Sequence, residues 1–247
     1  MTAHFNLVAH LTWDVAARRL AAGAIAVVPV GAGAKQHGLH LPMMTDQLLA
    51  EHFARLLAEQ IAAIGDALIW PTLTYGFYPA FAAYPGSVTL PQAQFQDLMS
   101  TLIQGLVGCG ARRVIIVDAG LSTRGSIQSA IENNPSAGGV SRFGIFEGAH
   151  FQDAVERHKR QRHGSHADEI ETSIMLALWP ELVDMARAVA SPSLANGPQL
   201  GPLERGNPAS PNFSPSGSFG DPTLANLELG RLLVAAILAD LSGVPIG

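Results

Sequence analysis

Ala24-Ile25-Ala26-Val27-Val28-Pro29-Val30 is a continuous apolar run that opens directly into a loop from Gly31 to Thr45. A strand apolar at every position, not at alternate ones, is a strand covered on both faces, as in a parallel sheet between layers of helices. The rest of the chain fits that frame. An amphipathic helix is expected from about Asp46 to Ile64, capped by Thr45 or Asp46. Ala67 to Trp70 reads as a second strand, Tyr75 to Gly86 as an aromatic, proline-rich loop, and Pro91 to Gly108 as a helix ending in glycine. Arg113 to Val117 is another buried strand, and it stops at Asp118-Ala119-Gly120. Helices follow from Ser126, over Glu169 to Leu178, and over Pro222 to Leu241. Strands alternating with helices pair in parallel and carry helices on both faces. The expected fold is therefore α/β, a three-layer sandwich with a mostly parallel sheet flanked by helices, as one domain over residues 1–247. Ligands in such sheets bind beyond the carboxyl ends of strands. The loops after Val30 and after Val117 leave from such ends.

Composition agrees. Of 247 residues, 48% are hydrophobic and only 14% charged, which allows a large core. The net charge of −5 disfavours a nucleic-acid surface, which needs a basic stripe. The one basic cluster, Arg157 to Arg162, reads as a solvated helix face. Cys109 is the only cysteine, so no intrachain disulfide is possible, and its setting reads as a buried helix end. No apolar stretch is long enough to span a membrane, and a reducing cytoplasm is the expected location. The segment Gly197 to Pro222 is rich in Pro, Gly, Ser and Asn; a connection of that length is functional or disordered. There is no internal repeat.

The densest chemistry lies in Lys35-Gln36-His37-Gly38-Leu39-His40-Leu41-Pro42-Met43-Met44-Thr45-Asp46. Imidazole and carboxylate are the usual ligands of zinc or manganese. Such a loop serves equally well for hydrogen bonding or packing, and spacing alone leaves both readings open.

The same segment resembles the signature of the creatininase (creatinine amidohydrolase) family, in which Glu-Gln-His-Gly-x-His-Leu-Pro is followed by Thr-Asp. Further stretches agree in order. Tyr84-Pro85-Gly86-Ser87-Val88-Thr89-Leu90 is similar to the family's Phe-Pro-Gly-Thr-x-x-Leu. His166-Ala167-Asp168-Glu169-Ile170-Glu171-Thr172-Ser173 is similar to its His-Ala-Gly-x-x-Glu-Thr-Ser, and Gly217-Ser218-Phe219-Gly220-Asp221-Pro222 to its Gly-x-x-Gly-Asp-Pro. The resemblance spans about residues 20 to 240. It implies a homo-oligomer, as in the family's hexamers, acting on a small molecule by hydrolysis of amide C–N bonds at a two-metal centre.

Position by position, that centre is altered. The family's first-metal glutamate is Lys35, and the histidine of its Asn-x-His-Gly-Gly-Asn motif falls at Gly120. A further carboxylate position is Ser122. His37 and the bridging Asp46 remain. The resemblance therefore implies one zinc or manganese ion per chain on His37, Asp46 and Glu171, with the Lys35 ammonium standing in for the lost ion. His166 and Glu171 join Lys35 as expected catalytic residues, His166 carrying protons. His40 is a partner of a metal ligand or a packing group, and Asp118 a loop anchor or a partner for Lys35. The expected activity is metal-dependent hydrolysis of a small amide, lactam or formamide-type bond. Two other readings remain: a lyase or isomerase using Lys35 as an imine-forming amine, and a non-catalytic ligand-binding protein.

Overall fold

The computed structural model describes residues 6–134, 139–192 and 201–246. Four strands, β1 (Ile25–Val30), β2 (Ala67–Ile69), β3 (Val114–Asp118) and β4 (Val140–Gly144), form one sheet in the order β2-β1-β3-β4, with every pairing parallel. The α-helices are α1 (Trp13–Ala21), α2 (Thr45–Ala62), α3 (Gln92–Gly108), α4 (Arg124–Glu132), α5 (Ala149–His158), α6 (Glu169–Leu178) and α7 (Leu227–Ser242).

The pleat divides β1 cleanly. Ile25 and Val27 join Ile115 and Val117 in a core with Leu49, Phe53 and Leu57 of α2 and Leu233 and Ile237 of α7. Ala26, Val28 and Val30 join Val114 and Ile116 in a second core with Phe95, Met99 and Ile103 of α3 and Ile127 of α4. Successive side chains point to opposite faces, so an all-apolar strand needs a helical layer on each. Full burial of a side chain such as Phe53 or Phe95 contributes about 1.5–3 kcal/mol. The expected three-layer arrangement is the one present.

Pro29 sits inside β1 without breaking the ladder. The Ile25 amide faces β2, donating to the Asp66 carbonyl, while the Ala26 amide faces β3. By alternation, position 29 faces the β2 side, where β2 has already ended at Ile69. The missing N–H is missing where no strand needs it.

Several boundaries differ from the expectation. The last helix begins at Leu227, not Pro222. Pro222–Leu224 forms a separate 3-10 turn, and the Asn226 side chain caps α7 by accepting from the Leu229 amide. Cys109 is exposed, which corrects the reading of a buried helix end. The helix closes at Gly108 and Gly110, at φ +96°, turns the chain so that Ala111 is buried instead. Residues 197–200 of the long polar connection lie outside the described residues. Its continuation is packed, with Leu203, Ser214 and Ser218 fully buried. Among the described residues no helix is long and apolar enough to cross a membrane.

Candidate active site

The loop after β1 enters the site through a close approach. A Cβ at Gly31 would lie 2.2 Å from the Asp46 carbonyl oxygen, so only glycine lets the strand end pass the first turn of α2. That contact delivers Asp46 to the loop that carries Lys35 and His37. Lys35 Nζ lies 2.6 Å from Asp46 Oδ2, an ion pair without hydrogen-bond alignment, and both side chains are buried. The ammonium also faces the Phe81 ring at 4.8 Å and the Tyr78 ring at 5.7 Å. Burial would raise the Asp46 carboxyl, but the Lys35 ammonium and His37 outweigh it and hold the group below the ordinary carboxylate range.

His37 is held at both ring nitrogens. Nδ1 lies 2.9 Å from the Lys35 carbonyl oxygen and Nε2 lies 2.8 Å from Asp46 Oδ1. Both neighbours are acceptors. The Nδ1 contact needs a proton, and the Nε2 contact needs a proton or a metal ion between nitrogen and carboxylate.

His166 and Glu171 come from the start of α6. Asp168 caps that helix, with Oδ1 accepting from the Ile170 and Glu171 amides. Ala167 has φ +46°, a strained backbone for a residue with a side chain, and its amide donates to Glu171 Oε2. His166 Nε2 donates to the Gln36 carbonyl at 2.8 Å, which leaves the Nδ1 lone pair 3.6 Å from Glu171 Oε2. Burial first, and then the positive Lys35, push the His166 imidazolium well below its usual range, so the ring is neutral. Its face packs on Phe81 with ring centres 4.1 Å apart.

His37, His166 and Glu171 each offer a ligand atom within 4.8 Å of the others. The grouping differs from the expected one. His166 joins His37 and Glu171, while Asp46 sits behind His37 and against Lys35. The donor set suits a single divalent ion. The Lys35 ammonium lies against Asp46 Oδ2. Lys35, His166 and Glu171 all line a cavity of about 310 Å³, walled by Ala80, Phe81, Leu121 and Phe146.

The remaining candidates separate. His40 Nε2 contacts the Thr172 hydroxyl at 2.8 Å, and burial lowers its pKa to about 4. Asp118 pairs with Arg142 Nε at 2.7 Å, not with Lys35. Arg142 belongs to β4, a strand with no apolar run to announce it. Of the aromatic loop, Phe81 lines the cavity, Tyr78 and Tyr84 are buried, and Tyr75 is exposed. Tyr84 donates to the Ser214 carbonyl, tying the loop to the polar connection.

Residues 9–244 match the family model for creatininase, described as creatinine amidohydrolase. The chain belongs to the creatininase family. Within it, the chain is 28% identical to the creatinine amidohydrolase of Pseudomonas putida over 246 residues, covering 92% of this chain and 91% of that one. It is also 28% identical to the mycofactocin precursor peptide peptidase of Mycobacterium tuberculosis, covering 87% and 81%. A solved structure of creatininase with manganese superposes with a TM-score of 0.76 at 27% identity over 96% of both chains.

Proposed function

We propose that this chain is a hydrolase of a small amide, lactam or formamide-type C–N bond, with the Lys35 ammonium fixed at the position where the family resemblance implies a glutamate ligand of a first ion. One observation carries the reading. A buried Lys35, anchored 2.6 Å from Asp46, faces the same 310 Å³ cavity as neutral His166 and Glu171. The activities named for the Pseudomonas and Mycobacterium relatives support hydrolysis. The peptidase relative leaves peptides open as substrates; the small size of the cavity, lined by Phe81, Leu121 and Phe146, supports a small amide instead.

Lys35 would donate to the substrate carbonyl oxygen and stabilise the negative charge that develops there, in a site where burial strengthens the interaction. Asp46 keeps the ammonium from swinging away. With Nε2 donating to the Gln36 carbonyl, the His166 Nδ1 lone pair would serve as an ion ligand, and a Glu171 oxygen would accept a hydrogen from the attacking water and orient it. Glu171 would take the proton and return it to the leaving nitrogen. Phe81 shields His166 from solvent. His37, His166 and Glu171 would hold one divalent ion, which when bound would polarise the carbonyl or acidify the water. An imine at Lys35 is not favoured, because an amine held as the partner of a buried carboxylate is not free to attack.

The test is metal content per chain by plasma mass spectrometry, followed by hydrolysis of a panel of small amides and lactams with manganese or zinc supplied. About one ion per chain and turnover abolished by Glu171→Gln are expected. Two ions per chain, or borohydride trapping of a carbonyl compound on Lys35, would overturn the reading.

A further inference from the structure

The fold divides the basic run Arg157 to Arg162. Arg157 pairs with Asp153 at 2.8 Å on the exposed face of α5. Arg160 pairs with the buried Glu169 at 3.3 Å. Lys159 and Arg162 have no ion-pair partner among the described residues, and both line a second cavity of about 540 Å³. Its apolar wall is Val155, Ile170 and Phe219.

One carboxylate lines it, and its hydrogen-bonding capacity is already used. Asp168 Oδ1 accepts from two α6 amides, and Oδ2 accepts from Gln161 Nε2 at 2.6 Å. The remaining charged side chains of the lining, Lys159 and Arg162, are cationic. Ser165 lines this cavity and the active-site cavity alike. His166 lines the active-site cavity and Phe219 lines this one, and their backbones exchange hydrogen bonds in an antiparallel bridge.

We propose that this second cavity binds a small organic carboxylate with an apolar body. The Arg162 guanidinium matches a carboxylate with two parallel N–H donors, and Lys159 adds a point charge. The body of the ligand covers Val155, Ile170 and Phe219, which supplies the apolar part of the affinity. The basic run is then one helix face and one binding edge. The site stands whether or not the first cavity is hydrolytic. The carboxylate comes from one of two sources: the charged tail of a molecule that also occupies the first cavity past Ser165, or a separate acid.

Calorimetric titration of the full chain with 4-phenylbutyrate tests it, with 4-phenylbutyramide as the uncharged isostere. The amide should bind about tenfold more weakly, and Lys159→Ala and Arg162→Ala should each weaken the acid by about tenfold while leaving the amide unchanged. Circular dichroism of both variants checks that they fold; these exposed positions tolerate alanine. No binding of the acid, equal binding of acid and amide, or equal binding by the double variant would overturn the site. Adipic acid monoamide separates the sources. Affinity lost in Arg162→Ala and also in Glu171→Gln marks a tail spanning both cavities; loss in Arg162→Ala alone marks a separate acid.

Discussion

Two buried carboxylates, Asp46 in the first turn of α2 and Asp118 at the end of β3, are each paired with a cation at nearly the same distance. Asp46 has Lys35 at 2.6 Å and Asp118 has Arg142 at 2.7 Å. Around Asp118 every oxygen is answered. The Gly120 amide and the Thr123 hydroxyl donate to Oδ1, and Arg142 donates to Oδ2 and continues to Glu147. Asp46 Oδ2 has only the unaligned ammonium, whose other hydrogens are left for the cavity. Their pKa values shift in opposite directions too. Burial wins at Asp118 and raises its pKa, whereas the Lys35 and His37 charges win at Asp46 and lower it. A closed network fixes a loop, while an open one keeps charge available to a ligand.

Lys35→Met attacks the open pair and should have the largest effect. Turnover should fall by about 10²–10³-fold, the usual cost of removing a group that stabilises an oxyanion. Urea unfolding should show a loss of about 3–5 kcal/mol, because Asp46 is left buried and unpaired. Wild-type turnover in the folded variant would erase the distinction between the two pairs.

Arg142→Met attacks the closed pair. It should cost about 3 kcal/mol in the same unfolding experiment but leave the metal content per chain unchanged. A loss of bound metal would mean that the two networks act as one.

Asp168 sharpens the comparison as a buried carboxyl with no ion-pair partner among the described residues. Burial, and then the Glu171 carboxylate, push it up to about 6. The folded state therefore holds this proton more tightly than the unfolded state, with its ordinary value of 3.8. Stability should fall as pH rises from about 4 to about 6, by about 2–3 kcal/mol. Asp168→Asn should flatten that slope, measured as the unfolding midpoint across the window. An unchanged slope would assign it to another group.

Arg157→Ala, at an exposed pair, should cost less than about 1 kcal/mol. A larger loss would show that exposure does not separate the surface pair from the buried ones.

The same contrast explains what could be read from sequence. The strands β1 and β3 announce themselves because burial on both faces forces unbroken apolar runs. Helix α6 starts at Glu169 as expected, since Asp168 is a strong cap. Strand β4 gives no such signal. It is an edge strand with only Gly144 buried, and its Arg142 serves a polar network. Helices α1 and α5 are equally quiet, with one and two buried residues. In the site, Lys35, His37 and Asp46 were legible together because they lie within twelve residues of one another. That His166 would meet His37 was not, because a long-range contact to the Gln36 carbonyl sets its position.

That contact has a consequence for when the site comes into being. His166 reaches Gln36 across 130 residues of chain, and Gln36 Nε2 reaches the Gly217 carbonyl across 181. All four strands lie before residue 145. Closing such long loops is entropically costly and slow compared with pairing neighbouring elements. As the chain leaves the ribosome, the four strands of the described residues emerge before the segment that completes the pocket, so the proposed site can form only after the sheet has its strands.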